Sequence, residues 1–235
     1  MTGRRLTAHR RDSIVLGVAV GVFGVTFGVL ATTSGLSVAQ ACAMSLLVFT
    51  GASQFAAVGV VGAGGAAASA VGTALLLAAR NGAYGLTISR LLPGPLVARL
   101  AASQLVIDES TAMALVQDDD RHAREAFWFT GVTLYVCWNL GTLVGAVSGE
   151  AIGDPEAWGL DAAFPAGFVS FVLPHVRSRP GLVAALLGGV VAVVAIPLTP
   201  AGAPVLLSVL GAVGGWLVLR RQGPDPSSTG RGDRR

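Results

Sequence analysis

Residues 13–79 contain no formal charge, and neither do residues 180–219. A helix on the surface of a soluble protein keeps a polar face, whereas each crossing of a bilayer takes about 20 mostly apolar residues. Stretches this long therefore specify a chain that folds in lipid. The composition agrees, with 12% charged residues against about 25% in soluble domains, and a mean hydropathy of +0.69. Disorder, a disulfide-built miniprotein and a cytosolic enzyme are excluded. The fold class is all-α: a polytopic membrane protein of about six to eight transmembrane or re-entrant helices.

The pI near 9.5 comes from arginine alone, since the chain has no lysine. The arginines lie at the chain ends and beside apolar runs, without the continuous basic face that nucleic acid requires. No lysine means no phosphate-binding GxxxxGK[ST] loop and hence no nucleotide. His122 and His175 lack a nucleophile context such as GxSxG, so no enzyme activity and no cofactor is expected. Cys42 and Cys137 are single residues inside apolar runs with no metal-ligand spacing, and read as small hydrophobes.

Apolar runs occupy residues 14–32, 39–62, 66–92, 127–148, 162–176, 182–198 and 204–219, and a weaker run at 96–116 contains Arg99, Asp108 and Glu109. Arg-rich short loops stay cytoplasmic. Arg121 and Arg124, Arg177 and Arg179, and Arg220 and Arg221 mark three such positions, while the loop at 150–161 carries four acids and no base. The second half then reads as four crossings with both chain ends in the cytoplasm of a bacterial inner membrane. The first half has two solutions: either all four of its runs cross, or only the first and third do, with 39–62 entering and returning on one side. The second also keeps Arg90 and Arg99 inside. The expected organisation is a cytoplasmic arm (1–12), one transmembrane permease domain (13–219) and a disordered cytoplasmic tail (220–235).

Small residues four apart, Gly17/Gly21, Gly24/Gly28 and Gly141/Gly145/Gly149, point to close helix packing. A Gly-Leu turn follows each of these long runs, at Gly35-Leu36 and Gly159-Leu160, which suggests an internal repeat.

Polar residues at membrane depth are costly and usually mark a pathway. Arg80, Asn81 and Tyr84 lie deep in the third run, and Asp108 and Glu109 in the weak one. The two acids face different directions on a helix, so one can pair with Arg80 while the other faces water. The plainer alternative makes Arg80 a span end and 108–109 part of an interfacial helix. Gly51, Ser53 and Gln54 interrupt the second run, and broken segments of this kind supply backbone and amide groups to a substrate. Pro165 and Pro174 break the corresponding segment of the second half, with Asp161 placed to suit a helix N-terminus.

At these residues the chain resembles a known family. SQFAA (53–57), LLLAARNGAYGLTIS (75–89), IDESTAMAL (107–115) and GLDAAFPAGF (159–168), in this order, are similar to the AzlC family of bacterial branched-chain amino-acid export permeases. Family members carry Asn and His around the arginine, as N-x-R-H, where this chain has Ala78 and Asn81. The resemblance implies a plasma-membrane permease exporting Val, Leu, Ile or similar amino acids with a small AzlD-type membrane partner. In that reading Gly51, Ser53, Gln54, Arg80, Asn81, Tyr84, Asp161 and Pro165 form the transport path, and Asp108 or Glu109 couples it to protons. The alternative is a non-transporting scaffold subunit.

Overall fold

The structure, a computed structural model, describes residues 2–152, 169, 172–173 and 175–221. The described residues form helices and turns without a strand, in two compact units, Met1–Phe164 and Pro165–Arg235. Among them, four segments are long and apolar enough to cross a membrane: His9–Thr33, Asp120–Gly149, Arg179–Leu198 and Ala203–Arg220. The chain is thus an all-α polytopic membrane protein.

The first unit is built on two long helices, α1 (Thr2–Thr33) and α7 (Asp120–Ile152). They run parallel, because contacts climb both helices together. Arg10 pairs with Glu125, Ser13 Oγ meets Thr130 Oγ1 at 2.8 Å, Gly17 lies against Thr133 and Cys137, and Gly149 lies against Val29. The glycines permit the approach: a Cβ on Gly24 would stand 2.6 Å from the Trp138 carbonyl, and one on Gly28, Gly141 or Gly145 would collide with backbone of the opposing helix. The Ser13–Thr130 offset of 117 residues also carries Gly24 and Gly28 onto Gly141 and Gly145. The pair therefore packs with the exchange symmetry of a dimer, each helix laying small residues on the other's backbone. Gly159-Leu160, on which the expected repeat rested, lies outside the described residues, as do 222–235 of the expected tail.

Asp119 starts α7 by accepting the Arg121 and His122 amides at 3.1 and 3.0 Å. These donors, with the His122 ring, hold its carboxyl below the usual carboxylate range. Because α1 and α7 are parallel, an even number of crossings separates their starts.

The apolar run at 39–62 is two helices, α2 (Val38–Val48) and α3 (Ala52–Gly62), of 11 residues each. Each is about 16 Å long, half of what a crossing needs. The chain turns back between them: a Cβ on Gly62 would lie 2.8 Å from Ser34 Oγ, so α3 ends beside the turn from which α2 began. The segment enters and returns on one side. Next comes α4 (Ala67–Ile88), whose 22 residues give about 33 Å, enough to cross. Arg80 and Asn81 are what make it less apolar than the four segments above.

The weak run at 96–116 is also split, into α5 (Leu96–Gln104) and α6 (Asp108–Leu115). Its tip, Leu105, packs on Gly131 of α7, and α6 leads back to the start of α7. This second hairpin enters from the opposite side to the first. Of the two solutions open to the first half, the structure adopts the one in which only the first and third runs cross.

In the second unit, α8 (Arg179–Ala195) begins on a Ser178 cap, whose Oγ accepts the Gly181 amide at 3.1 Å. A short helix α9 (Ala203–Ser208) precedes α10 (Leu210–Arg221). Gly211 faces Gly188 while Gly215 faces Pro180, so α8 and α10 are antiparallel. The Arg220 guanidinium lies 4.1 Å above the Trp216 ring, where an interfacial aromatic belongs.

Candidate functional site

The two hairpin tips meet. At the first, Phe49 leaves helical geometry (φ −29°, ψ 80°) and Gly51 takes φ +60°, ψ −87°, a conformation that favours glycine. The broken helix leaves backbone groups without helical partners, and Gln54 supplies replacements. Its Oε1 accepts the Gly51 amide at 3.2 Å and the Thr50 amide at 3.4 Å, and its Nε2 donates to the Met44 carbonyl at 3.2 Å. Gln54 is fully buried, and Ser53 is hydrogen-bonded to Thr50. Replacing Gln54 by leucine is expected to cost about 2–3 kcal/mol, since unsatisfied buried groups cost about 1–3 kcal/mol each. A thermal melt in detergent should show a loss of roughly 4–12 °C.

The Leu46 carbonyl joins the hairpins. It accepts Gln104 Nε2, from the end of α5, at 2.9 Å and the Tyr135 hydroxyl of α7 at 3.0 Å. Phe49 packs edge-on against Tyr135, and Phe27, Phe55 and Trp138 form an aromatic cluster beside the first tip. Tyr135 lies near the middle of the α7 span, which places the tips at membrane depth. Gln104, Tyr135 and the Leu46 carbonyl were not among the residues singled out from sequence. Gln104 and Tyr135 carry the same signal as Gln54, an isolated polar group in an apolar run, but charged neighbours drew attention from Gln104.

At the second tip the chain reverses through buried Leu105, Val106 and Ile107, held by Ser110 Oγ, which donates to the Leu105 carbonyl at 2.6 Å. Asp108 and Glu109 form the first turn of α6, where the helix dipole favours carboxylates. They thus begin a helix rather than lying midway along one. Arg80 Nη1 meets Asp108 Oδ2 at 2.9 Å, with side-chain exposures of 36% and 28%. Tyr84, one turn along α4 from Arg80, directs its hydroxyl at the same carboxylate, and Glu109 is close enough to feel both charges. Arg80 therefore lies within α4 rather than at its end, and is one partner of an ion pair.

Three buried acceptors here lack a hydrogen-bond partner among the described residues: Asn81 Oδ1, Asp108 Oδ1 and Thr111 Oγ1. Buried polar groups in native structures are nearly always paired, so unpartnered acceptors on the two helices that carry Arg80 and Asp108 suit a ligand with donors and an anionic group. The structure thus brings Arg80, Asn81, Tyr84, Asp108 and Glu109 to one hairpin tip and Gly51, Ser53 and Gln54 to the other. Asp161 and Pro165 lie outside the described residues. No group of three or more metal-binding side chains occurs among the described residues.

Comparison with known proteins follows the same lines. The chain is 28% identical over 199 residues to the "Inner membrane protein YgaZ" of Escherichia coli (strain K12), covering 78% of this chain and 79% of that protein. It is 25% identical over 212 residues to an "Uncharacterized membrane protein" of Helicobacter pylori (strain ATCC 700392 / 26695), covering 89% and 92%. No solved structure matches the chain. The family model described as "AzlC protein" matches residues 15–152, the stretch that holds the greater part of α1, both hairpins, the Arg80–Asp108 pair and α7, and the chain belongs to the AzlC family.

Proposed function

We propose that the chain is a secondary transporter that exports branched-chain or similar apolar amino acids across a bacterial inner membrane, together with a small AzlD-type membrane partner. The observation that carries this reading is the Arg80–Asp108 pair at the meeting of two opposed hairpins, with unpaired acceptors around it. Discontinuous helices meeting near the midplane are the usual site of transporter substrates.

An amino-acid zwitterion carries the same two charges as this pair. Its carboxylate replaces Asp108 on Arg80, while its ammonium donates to Asp108 and to Asn81 Oδ1. The exchange is charge for charge, which matters because an unpaired ion at this depth is expensive. Val, Leu or Phe side chains of the hairpins receive the apolar part. Asp108 or Glu109, the two carboxylates beside Arg80, is the group through which transport is coupled to the proton gradient.

Orientation follows the arginines. In the first unit, Arg10, Arg90, Arg99, Arg121 and Arg124 fall at the end where α1 and α7 begin; in the second, Arg179 and Arg220 share an end. Both ends are assigned to the cytoplasm.

The test is leucine efflux from deletion cells fed a leucine dipeptide, with the chain returned alone or with the neighbouring small membrane gene. Restored efflux that needs both is expected; the small residual efflux of Asp108→Asn is expected to lose its dependence on external pH, while Glu109→Gln retains part of it. Unchanged pH profiles in both variants remove the coupling, and no accumulation in the deletion strain leaves a scaffold role instead.

A further inference from the structure

A cavity of about 520 Å³ opens between the C-terminal part of α4 and α5, within the size range of small-molecule sites. Its outer end lies at the turn through Leu92, Pro93 and Gly94. Its inner end reaches Gly85, next to Tyr84, and Val106, two residues before Asp108. The cavity therefore runs from the Arg90 and Arg99 end of the molecule toward the ion pair.

The wall is aliphatic, from Ile88, Leu92, Leu100 and Val106, with one cationic side chain, Arg99. The two hydroxyls of the wall are committed to backbone: Ser89 Oγ donates to the Leu86 carbonyl at 2.9 Å and Ser103 Oγ to the Leu100 carbonyl at 2.8 Å. Arg99 has no carboxylate partner among the described residues. A guanidinium with free donors in an apolar recess selects a carboxylate on an aliphatic body, and its planar fork suits that group better than an ammonium would.

We infer that this cavity is the entry site for an aliphatic carboxylate, with Arg99 taking the carboxylate before the substrate reaches Arg80. The inference rests on the transport reading above and adds a second, outer site to it. Arg80 and Arg99 thereby separate two tasks: Arg99 captures an anionic group from water, and Arg80 accepts it only in exchange for Asp108. A charged group moving inward is never far from a counter-ion.

The experiment uses the purified full-length chain in nanodiscs, with Ser103→Cys as a reporter in the cavity wall and the wild type, holding only Cys42 and Cys137, as background. Maleimide alkylation of the reporter is timed in the presence of L-leucine, 4-methylpentanoate, 3-methylbutylamine or dodecanoate. L-leucine and 4-methylpentanoate are expected to slow labelling about fivefold at about four times their dissociation constants, and the amine to leave it unchanged. Adding Arg99→Gln should reduce that protection to less than about twofold at the same concentrations, Arg99→Lys should keep part of it, and Arg80→Gln should keep all of it.

Protection that survives Arg99→Gln, or that the amine gives equally, overturns the site. Stronger protection by dodecanoate than by 4-methylpentanoate also overturns it, identifying a lipid crevice. Export is measured separately in cells. Normal leucine efflux without protection removes only the entry site, whereas protection without efflux keeps the site and removes the transport reading.

Discussion

Gly145→Val is expected to leave little folded protein, with a melting temperature at least about 10 °C below wild type at the usual 2–4 °C per kcal/mol for chains of this size. A Cβ at Gly145 falls on the Val25 carbonyl, one at Gly141 falls on that of Gly21, and the reciprocal clashes occur at Gly24 and Gly28. Overpacking in a core ordinarily costs about 1–3 kcal/mol because side chains can shift. Here the struck atoms are backbone on two long helices, and no rotamer relieves them. The helices must separate, which strips the Ser13–Thr130 hydrogen bond and the Phe27–Trp138 stack from the interface. Gly82→Ala is the control, because nothing lies within 4 Å of a Cβ there. Alanine at that helical position should leave stability equal or raise it by up to about 1 kcal/mol. Tryptophan fluorescence during a melt follows both variants. A Gly145→Val protein as stable as wild type would refute the close parallel pairing of α1 and α7, and with it the argument that both begin on the same side.

That pairing was half legible in the sequence. Glycines four apart announced close packing, and arginines beside the fourth long run announced which way it points, because both signals are local. Whether α1 meets α7 or another helix is a long-range fact that periodicity does not carry. The hairpins show the same division. Gly51, Ser53 and Gln54 revealed that the run at 39–62 was interrupted, but its length suited a crossing, and nothing in the sequence states that Gly62 returns to Ser34. The second hairpin was harder to read. Asp108 and Glu109 before an apolar stretch are an ordinary helix-start signal, yet in a weakly apolar run they looked like charges midway along one helix. The Arg80–Asp108 contact could be offered only as one option, since a sequence shows that two opposite charges are both at membrane depth but not that α4 and α6 bring them together. Gln54 shows the converse. Its polarity marked the place correctly, but only the structure shows its amide committed to the Gly51 and Met44 backbone, where it shapes the tip.

The largest functional effect is expected at the ion pair, and the double variant is the informative one. Arg80→Gln leaves Asp108 beside Glu109 without its cation, and Asp108→Asn leaves Arg80 without its hydrogen-bonded carboxylate. Removing one partner of a fully buried pair costs about 3–5 kcal/mol; with exposures of 36% and 28%, about 1–2 kcal/mol is expected here, because water screens part of each charge. Arg80→Gln together with Asp108→Asn removes both charges and should melt within about 1 kcal/mol of wild type, since neutral replacement of an ion pair is often tolerated. Transport should not return with stability. If the pair binds the zwitterion, each single variant loses about 3 kcal/mol of substrate interaction, about a hundredfold in efflux, and the double variant loses at least as much. If the pair only ties α4 to α6, the double variant regains transport along with its fold. Melting temperature and dipeptide-fed leucine efflux, measured on the same three variants, separate a binding role from a structural one: stability restored with efflux still absent assigns Arg80 and Asp108 to the substrate, and both restored together assigns them to the scaffold.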